Sequence, residues 1–170
     1  YLGRYTEEKG VLTLLDVCKE LTDIPFVFAG NGPLKEQITG CPNIEERGFL
    51  RGAELKRVIM EARFIVFPSE WYENCPFSVM EAQMYGIPVV ASNLGGTPEL
   101  IRHGITGELF ESGNKTDLKN KITKLWNNKE LCMEYSRNCK NITFDTLAEY
   151  TEKMVRIYKQ EKQIKANKSQ

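Results

Sequence analysis

Apolar and polar positions along the chain alternate between two rhythms. After Gly10, residues Val11, Leu14, Leu15, Cys18 and Leu21 share one face of a helical period, which predicts an amphipathic helix over 11–21. The run Ile24-Pro25-Phe26-Val27-Phe28-Ala29-Gly30 follows, apolar at successive positions, as expected of a parallel strand covered on both faces. The rhythm then repeats, with a helix over 34–39, a short strand over 44–49 and a helix over 53–62. The clearest strand lies between Arg63 and Pro68, followed by a helix over 77–85 and a strand over 88–91. Thr97-Pro98-Glu99 opens a short helix, with Thr97 as its cap and a proline in its first turn. A weak strand over 108–110 precedes helical segments near 115–128, 130–140 and 145–162.

Such alternation predicts an α/β fold, a Rossmann-like, doubly wound parallel sheet with helices on both faces and right-handed crossovers. One domain over 1–160 accounts for the pattern, and 161–170 reads as a polar basic tail. Only Tyr1 and Leu2 precede the turn at Gly3, so the first strand is expected to be truncated and the sequence an excerpt from something longer.

Composition narrows the function. Lys and Arg total 23 against 23 Asp and Glu, and this balance argues against a nucleic-acid partner, which requires a basic surplus. No apolar run approaches the roughly 20 residues of a membrane span, and the polar start does not resemble a signal peptide. The five cysteines are scattered and odd in number, and the single histidine, His103, reads as a surface turn residue. No metal site is expected, and the cysteine usage points to a reduced, cytoplasmic protein.

Ligands of open parallel sheets bind beyond the carboxyl ends of the strands, so the loops there carry the candidate chemistry. The first holds Gly3-Arg4 and Lys9-Gly10. Two cations at a helix entry suit a diphosphate, and the alternative is a solvated pair balanced by Glu7 and Glu8. Gly30-Asn31-Gly32-Pro33 forms the second, either a close backbone approach to a ligand or a plain tight turn. The third, Gly48-Phe49-Leu50, offers backbone groups to a flat base. The fourth runs from Pro68 into the helix at Phe77, with Glu73 and Asn74 before the helix and Glu81 one turn inside it. The first N–H groups of that helix, on Phe77, Ser78 and Val79, form an anion receptor flanked by two carboxylates. Phe77, Met80 and Met84 are expected to face the core, and Cys75 to be a buried, inert thiol. In the fifth loop, Gly95-Gly96 precede Thr97.

Taken in order, these loops resemble the donor-binding, C-terminal half of the GT-B fold in the retaining glycosyltransferases of family 4, the group 1 glycosyl transferases. The resemblance rests on Gly3-Arg4…Lys9-Gly10, Gly30-Asn31-Gly32-Pro33, Gly48-Phe49-Leu50, Glu73…Glu81-Ala82…Gly86-Ile87-Pro88-Val89-Val90-Ala91-Ser92 and Gly95-Gly96…Glu99, and covers 1–160. It implies transfer of a hexosyl group from a UDP-, GDP- or ADP-linked sugar to a glycan, lipid or small molecule, without a metal or other cofactor. Arg4 and Lys9 would stabilise the leaving diphosphate, and Glu73 would meet the transferred sugar. Glu81 would hold the ribose, Gly32 and Phe49 the nucleotide, and Asn74, Phe77, Ser78 and Val79 the phosphates.

The sequence departs from the family at Glu73-Asn74-Cys75-Pro76, where many members carry Glu-Gly-Phe-Gly. The partner implied beyond the nucleotide sugar is an N-terminal acceptor-binding domain of the same polypeptide, so the excerpt alone is expected to be inactive. A non-catalytic nucleotide-sugar module and a GT-B-like epimerase or phosphorylase are the alternatives. Intact Arg4, Lys9, Glu73 and Glu81 favour the enzyme. Lys159, Lys162, Lys165 and Lys168 offer a peripheral membrane contact or, alternatively, a solvated helix end.

Overall fold

The computed structural model describes residues 1–168. Six short parallel strands form two three-stranded sheets, β1 (Leu2–Arg4), β2 (Phe26–Asn31) and β3 (Ile44–Glu46) in one, β4 (Ile65–Phe67), β5 (Val89–Ser92) and β6 (Gly107–Phe110) in the other. The inner strands β1 and β4 lie beside one another, which gives the spatial order β3-β2-β1-β4-β5-β6. This is the doubly wound order, with its reversal point between β1 and β4. Register runs Leu2 with Ala29, Phe26 with Ile44, Ile65 with Val89, and Val89 with Gly107.

Helices α1 (Val11–Glu20), α2 (Lys35–Thr39), α3 (Gly52–Glu61), α4 (Phe77–Met84) and α5 (Thr97–Leu100) alternate with the strands, and α6 (Lys115–Asn127), α7 (Lys129–Cys139) and α8 (Leu147–Lys168) follow β6. The central strands β4 and β5 are buried on both faces because each face meets helices. Val66 and Val90 join the core built with α1 and α6, where Leu14, Val17, Leu118 and Ile122 are buried. Their neighbours Ile65, Phe67, Val89 and Ala91 point the other way, into a second core with Ile59, Val79 and Ala82. That period-two split is why the strand sequences read as continuous apolar runs.

Several expectations are corrected. Gly96 occupies the cap of α5, and Thr97 is its first helical residue. A 3₁₀ turn, Glu7–Lys9, precedes α1 inside the first loop. Helix α8 runs to Lys168, beyond the end expected near 162. Lys159 and Lys162 are exposed on it, whereas the side chains of Lys165 and Lys168 lie outside the described residues, as do residues 169 and 170. No helix among the described residues is long and apolar enough to cross a membrane.

Helix α4 departs furthest from its periodicity. It buries Val79, Ala82 and Gln83, and leaves Phe77 74% and Met84 64% exposed. Gln83 is tolerated inside because its amide donates to the carbonyl of Leu100 at 3.0 Å and to the Thr106 hydroxyl at 3.3 Å. Cys75 is exposed rather than buried, since Pro76 takes the inward position beside it.

Candidate functional site

The loops after β1, β2, β3, β4 and β5 gather at the carboxyl edge of the sheets. Loop one is seated by glycine. Gly10 has φ 66°, and a Cβ there would lie 1.8 Å from the carbonyl oxygen of Pro68, so the turn carrying Lys9 packs directly on the loop carrying Glu73. Glu70 N–H donates to the Glu8 carbonyl at 2.9 Å and fixes the same junction.

From opposite sides of that junction, the Lys9 ammonium and the Glu73 carboxylate meet in a direct ion pair. Ser69, fully enclosed, donates its hydroxyl to the same Glu73 oxygen at 2.9 Å. The Ser69 carbonyl in turn accepts from the Ser92 hydroxyl at 2.6 Å. On the far side, Gly96 N–H donates to the Glu73 carbonyl at 2.7 Å, and a Cβ on Gly96 would lie 2.0 Å from the Asn74 carbonyl. The fifth loop therefore acts on the fourth, setting the backbone of Glu73 and Asn74.

The sequence left Arg4 and Lys9 with two readings, and the structure separates the two cations. Arg4 stays in solvent, 3.9 Å from Glu8, whose carboxyl is held below the usual range mainly by the Thr6 hydroxyl. Lys9 turns inward to Glu73 instead of pairing with Glu7 or Glu8.

Two adjoining cavities open at this edge. One of about 630 Å³ is lined by Arg4, Gly32, Phe49, Ser78 and Glu81 among others, and one of about 280 Å³ by Lys9, Glu73, Cys75, Phe77 and Ser78. Gly3 and Ser78 border both, so the two spaces meet at the start of α4. The N–H groups of Phe77 and Ser78 take no backbone partner among the described residues, whereas Val79 is fully buried and its N–H donates to the Pro76 carbonyl at 3.1 Å. Of the three amides that the sequence offered to an anion, two are without a backbone partner among the described residues, and Val79 lines neither cavity. Asn74 lines neither space, and its contribution is the carbonyl packed on Gly96.

Sequence reading missed three supporting residues, Ser69, Tyr5 and Glu46. The Glu46 carboxylate accepts from Gly48 N–H at 2.7 Å and from the Tyr5 hydroxyl at 3.1 Å, and pairs with Lys35 at 3.2 Å. Burial pushes this carboxyl up, but Gly48, Lys35 and Tyr5 outweigh it and hold the group below its ordinary value. Through Glu46, the loop bearing Phe49 is tied to the first loop. The one available signal was an acid closing a strand two residues before a glycine.

Comparison with known proteins gives the family of the chain. The family model for glycosyl transferases group 1 matches residues 1–142. The chain belongs to that family. Among curated relatives, it is 35% identical over 137 residues to the sulfoquinovosyl transferase SQD2 of Arabidopsis thaliana, covering 76% of this chain and 26% of that protein. It is 29% identical over 140 residues to the 2-deoxystreptamine N-acetyl-D-glucosaminyltransferase of Niallia circulans, covering 75% and 36%. Among solved structures, Anabaena Alr3699/HepE in complex with UDP superposes with a TM-score of 0.79 at 21% identity, over 93% of this chain and 48% of that one. Sucrose-phosphate synthase from Thermosynechococcus elongatus gives 0.80 at 20% identity, over 94% and 44%. These neighbours share the Rossmann-like fold of the GT-B type. The chain spans between 26% and 42% of the length of the first curated relatives.

Proposed function

We propose that the chain is the donor-binding domain of a retaining glycosyltransferase that transfers a hexosyl group from a nucleotide-diphosphate sugar. The observation that carries this reading is the junction of the two cavities. The Lys9–Glu73 pair stands in the smaller, Arg4 and Glu81 border the larger, and the two unpartnered amides of α4 open beside Ser78 between them. A diphosphate lying across that junction meets two cations and a helix N-terminus. Ribose hydroxyls suit the exposed Glu81 carboxylate, and the base lies against Phe49 and the backbone near Gly32.

Bond cleavage places positive charge on the anomeric carbon and negative charge on the departing diphosphate. Lys9, Arg4 and the amides of Phe77 and Ser78 oppose the second, as a preorganised electrostatic effect. Glu73 faces the first, with Ser69 and Gly96 fixing its position. Counter-charge in this reading comes from side chains, and no metal or other cofactor is assigned. The acceptor, whether glycan, lipid or small molecule, requires a further domain of the same polypeptide for its site to be complete, so this chain alone binds donor weakly and turns nothing over. All five cysteines are free, which supports a cytoplasmic setting.

Calorimetric titration with UDP-, GDP- and ADP-sugars tests the reading. One of them should bind, and Arg4→Ala/Lys9→Ala should weaken it by about 10- to 100-fold for each charge-assisted hydrogen bond removed. Failure of all three to bind a folded chain, or equal affinity in the double variant, would overturn the assignment.

A further inference from the structure

The turn immediately before Glu73 carries two large aromatic side chains that the donor site does not use. Trp71 is 61% and Tyr72 77% exposed, and neither lines either cavity. Their backbone is nevertheless held at both ends. Glu70 N–H is bonded to Glu8, Glu73 N–H donates to the Trp71 carbonyl at 2.9 Å, and the Glu73 carbonyl is bonded to Gly96. Gly95 packs so closely that a Cβ there would lie 3.2 Å from the Tyr72 carbonyl carbon. Two rings are thus presented to solvent from a fixed turn, directly before the carboxylate assigned to the reacting sugar.

We propose that Trp71 and Tyr72 are a stacking platform for a pyranose ring of the acceptor, and hence that the acceptor is a carbohydrate at the end that enters the site. The inference rests on the glycosyltransferase reading and adds the acceptor's chemical class. A pyranose presents a face of polarised C–H groups that matches the electron-rich face of an aromatic ring, while its hydroxyls suit the Trp71 N–H and the Tyr72 O–H. Donor nucleotide occupies the cavities, so a sugar meeting these rings is the second substrate. The surroundings favour sugar over protein. Glu70, Glu73 and Asn74 flank the rings with polar groups, whereas α8, away from them, carries three exposed aliphatic side chains suited to a protein contact, Leu147, Val155 and Ile157.

The chain has two tryptophans, and Trp126→Phe leaves Trp71 as the sole reporter. Titration of that variant with methyl α-D-glucoside, α-D-galactoside and α-D-mannoside and with maltotriose, followed by indole fluorescence and the indole N–H resonance, should give a saturable response with Kd of about 1–10 mM for at least one of them. Tyr72→Ala should weaken it about tenfold while UDP affinity stays unchanged. A response matched by glycerol overturns the platform, as does no saturable response to any saccharide. A Trp71 emission shift that tracks protein concentration does so too, because it assigns the rings to self-association. UDP binding measured alongside separates the failures, since its loss in the unsubstituted chain refutes the donor site and its persistence confines the failure to the platform.

Discussion

Lys9 and Glu73, 64 positions apart in sequence, are joined by a direct ion pair at the base of the smaller cavity. The cation proposed for the diphosphate is therefore engaged by the carboxylate proposed for the sugar. A donor phosphate held by Lys9, as proposed, would compete with Glu73 for it. Lys9→Ala should weaken UDP binding, whereas Glu73→Gln, which keeps the shape and removes the competing charge, should tighten it by about two- to tenfold. Calorimetry with UDP decides, and weaker binding by Glu73→Gln would show that the pair assists the phosphate instead.

The position of Glu73 depends on the absence of a side chain at Gly96. A Cβ there would stand 2.0 Å from the Asn74 carbonyl, a clash that only a shift of the loop relieves. Gly96→Ala is expected to cost more than about 2 kcal/mol in denaturant unfolding and to reduce UDP-sugar affinity with it. Gly48→Ala is the control. Nothing lies within 4 Å of its Cβ, and φ 68° leaves only a backbone cost of roughly 1–2 kcal/mol. A Gly96→Ala chain as stable as the wild type would remove the buttress argument.

Helix α4 offers a test of which stripe faces inward. Val79 is fully buried, so Val79→Ala should cost about 1–3 kcal/mol, while Phe77→Ser on the exposed face should stay within about 0.5 kcal/mol. Thermal unfolding of both variants checks the assignment, and the reverse order would return Phe77 to the core.

That helix also shows where sequence reading stops. The inner strand Ile65-Val66-Phe67 was legible because burial on both faces leaves no polar residue in it. The loops were legible because glycines and charges recur there in a fixed order. In α4, the stripes through Phe77, Met80 and Met84 and through Val79, Ala82 and Gln83 are equally helical, and composition favours the first. What selects the second is distant, the Leu100 carbonyl and Thr106 hydroxyl that receive the Gln83 amide. Ser69 and Glu46 were hidden for the same reason. Each is an ordinary polar residue until the fold brings Glu73 to one, and Tyr5 and Gly48 to the other.

Away from the donor site, Glu108 on β6 is fully buried, with Lys124 at 2.6 Å, the Tyr135 hydroxyl at 2.7 Å and Lys121 at 3.5 Å. Burial pushes its carboxyl up, but the hydrogen bonds from Lys124 and Tyr135, with the charge of Lys124, hold it below its ordinary value. A depressed carboxyl stabilises the fold fully above its unfolded value and loses that contribution as pH falls through the folded one. Urea unfolding from pH 7 toward about pH 3 should therefore show a steeper loss in the wild type than in Glu108→Gln, which cannot ionise. Glu20 and Glu46 are also depressed and titrate in both proteins, so the difference between the two curves isolates Glu108. At neutral pH the variant should already be less stable, because Lys121 and Lys124 lose their shared counter-charge. Parallel curves would show that Glu108 is not ionised in the folded chain.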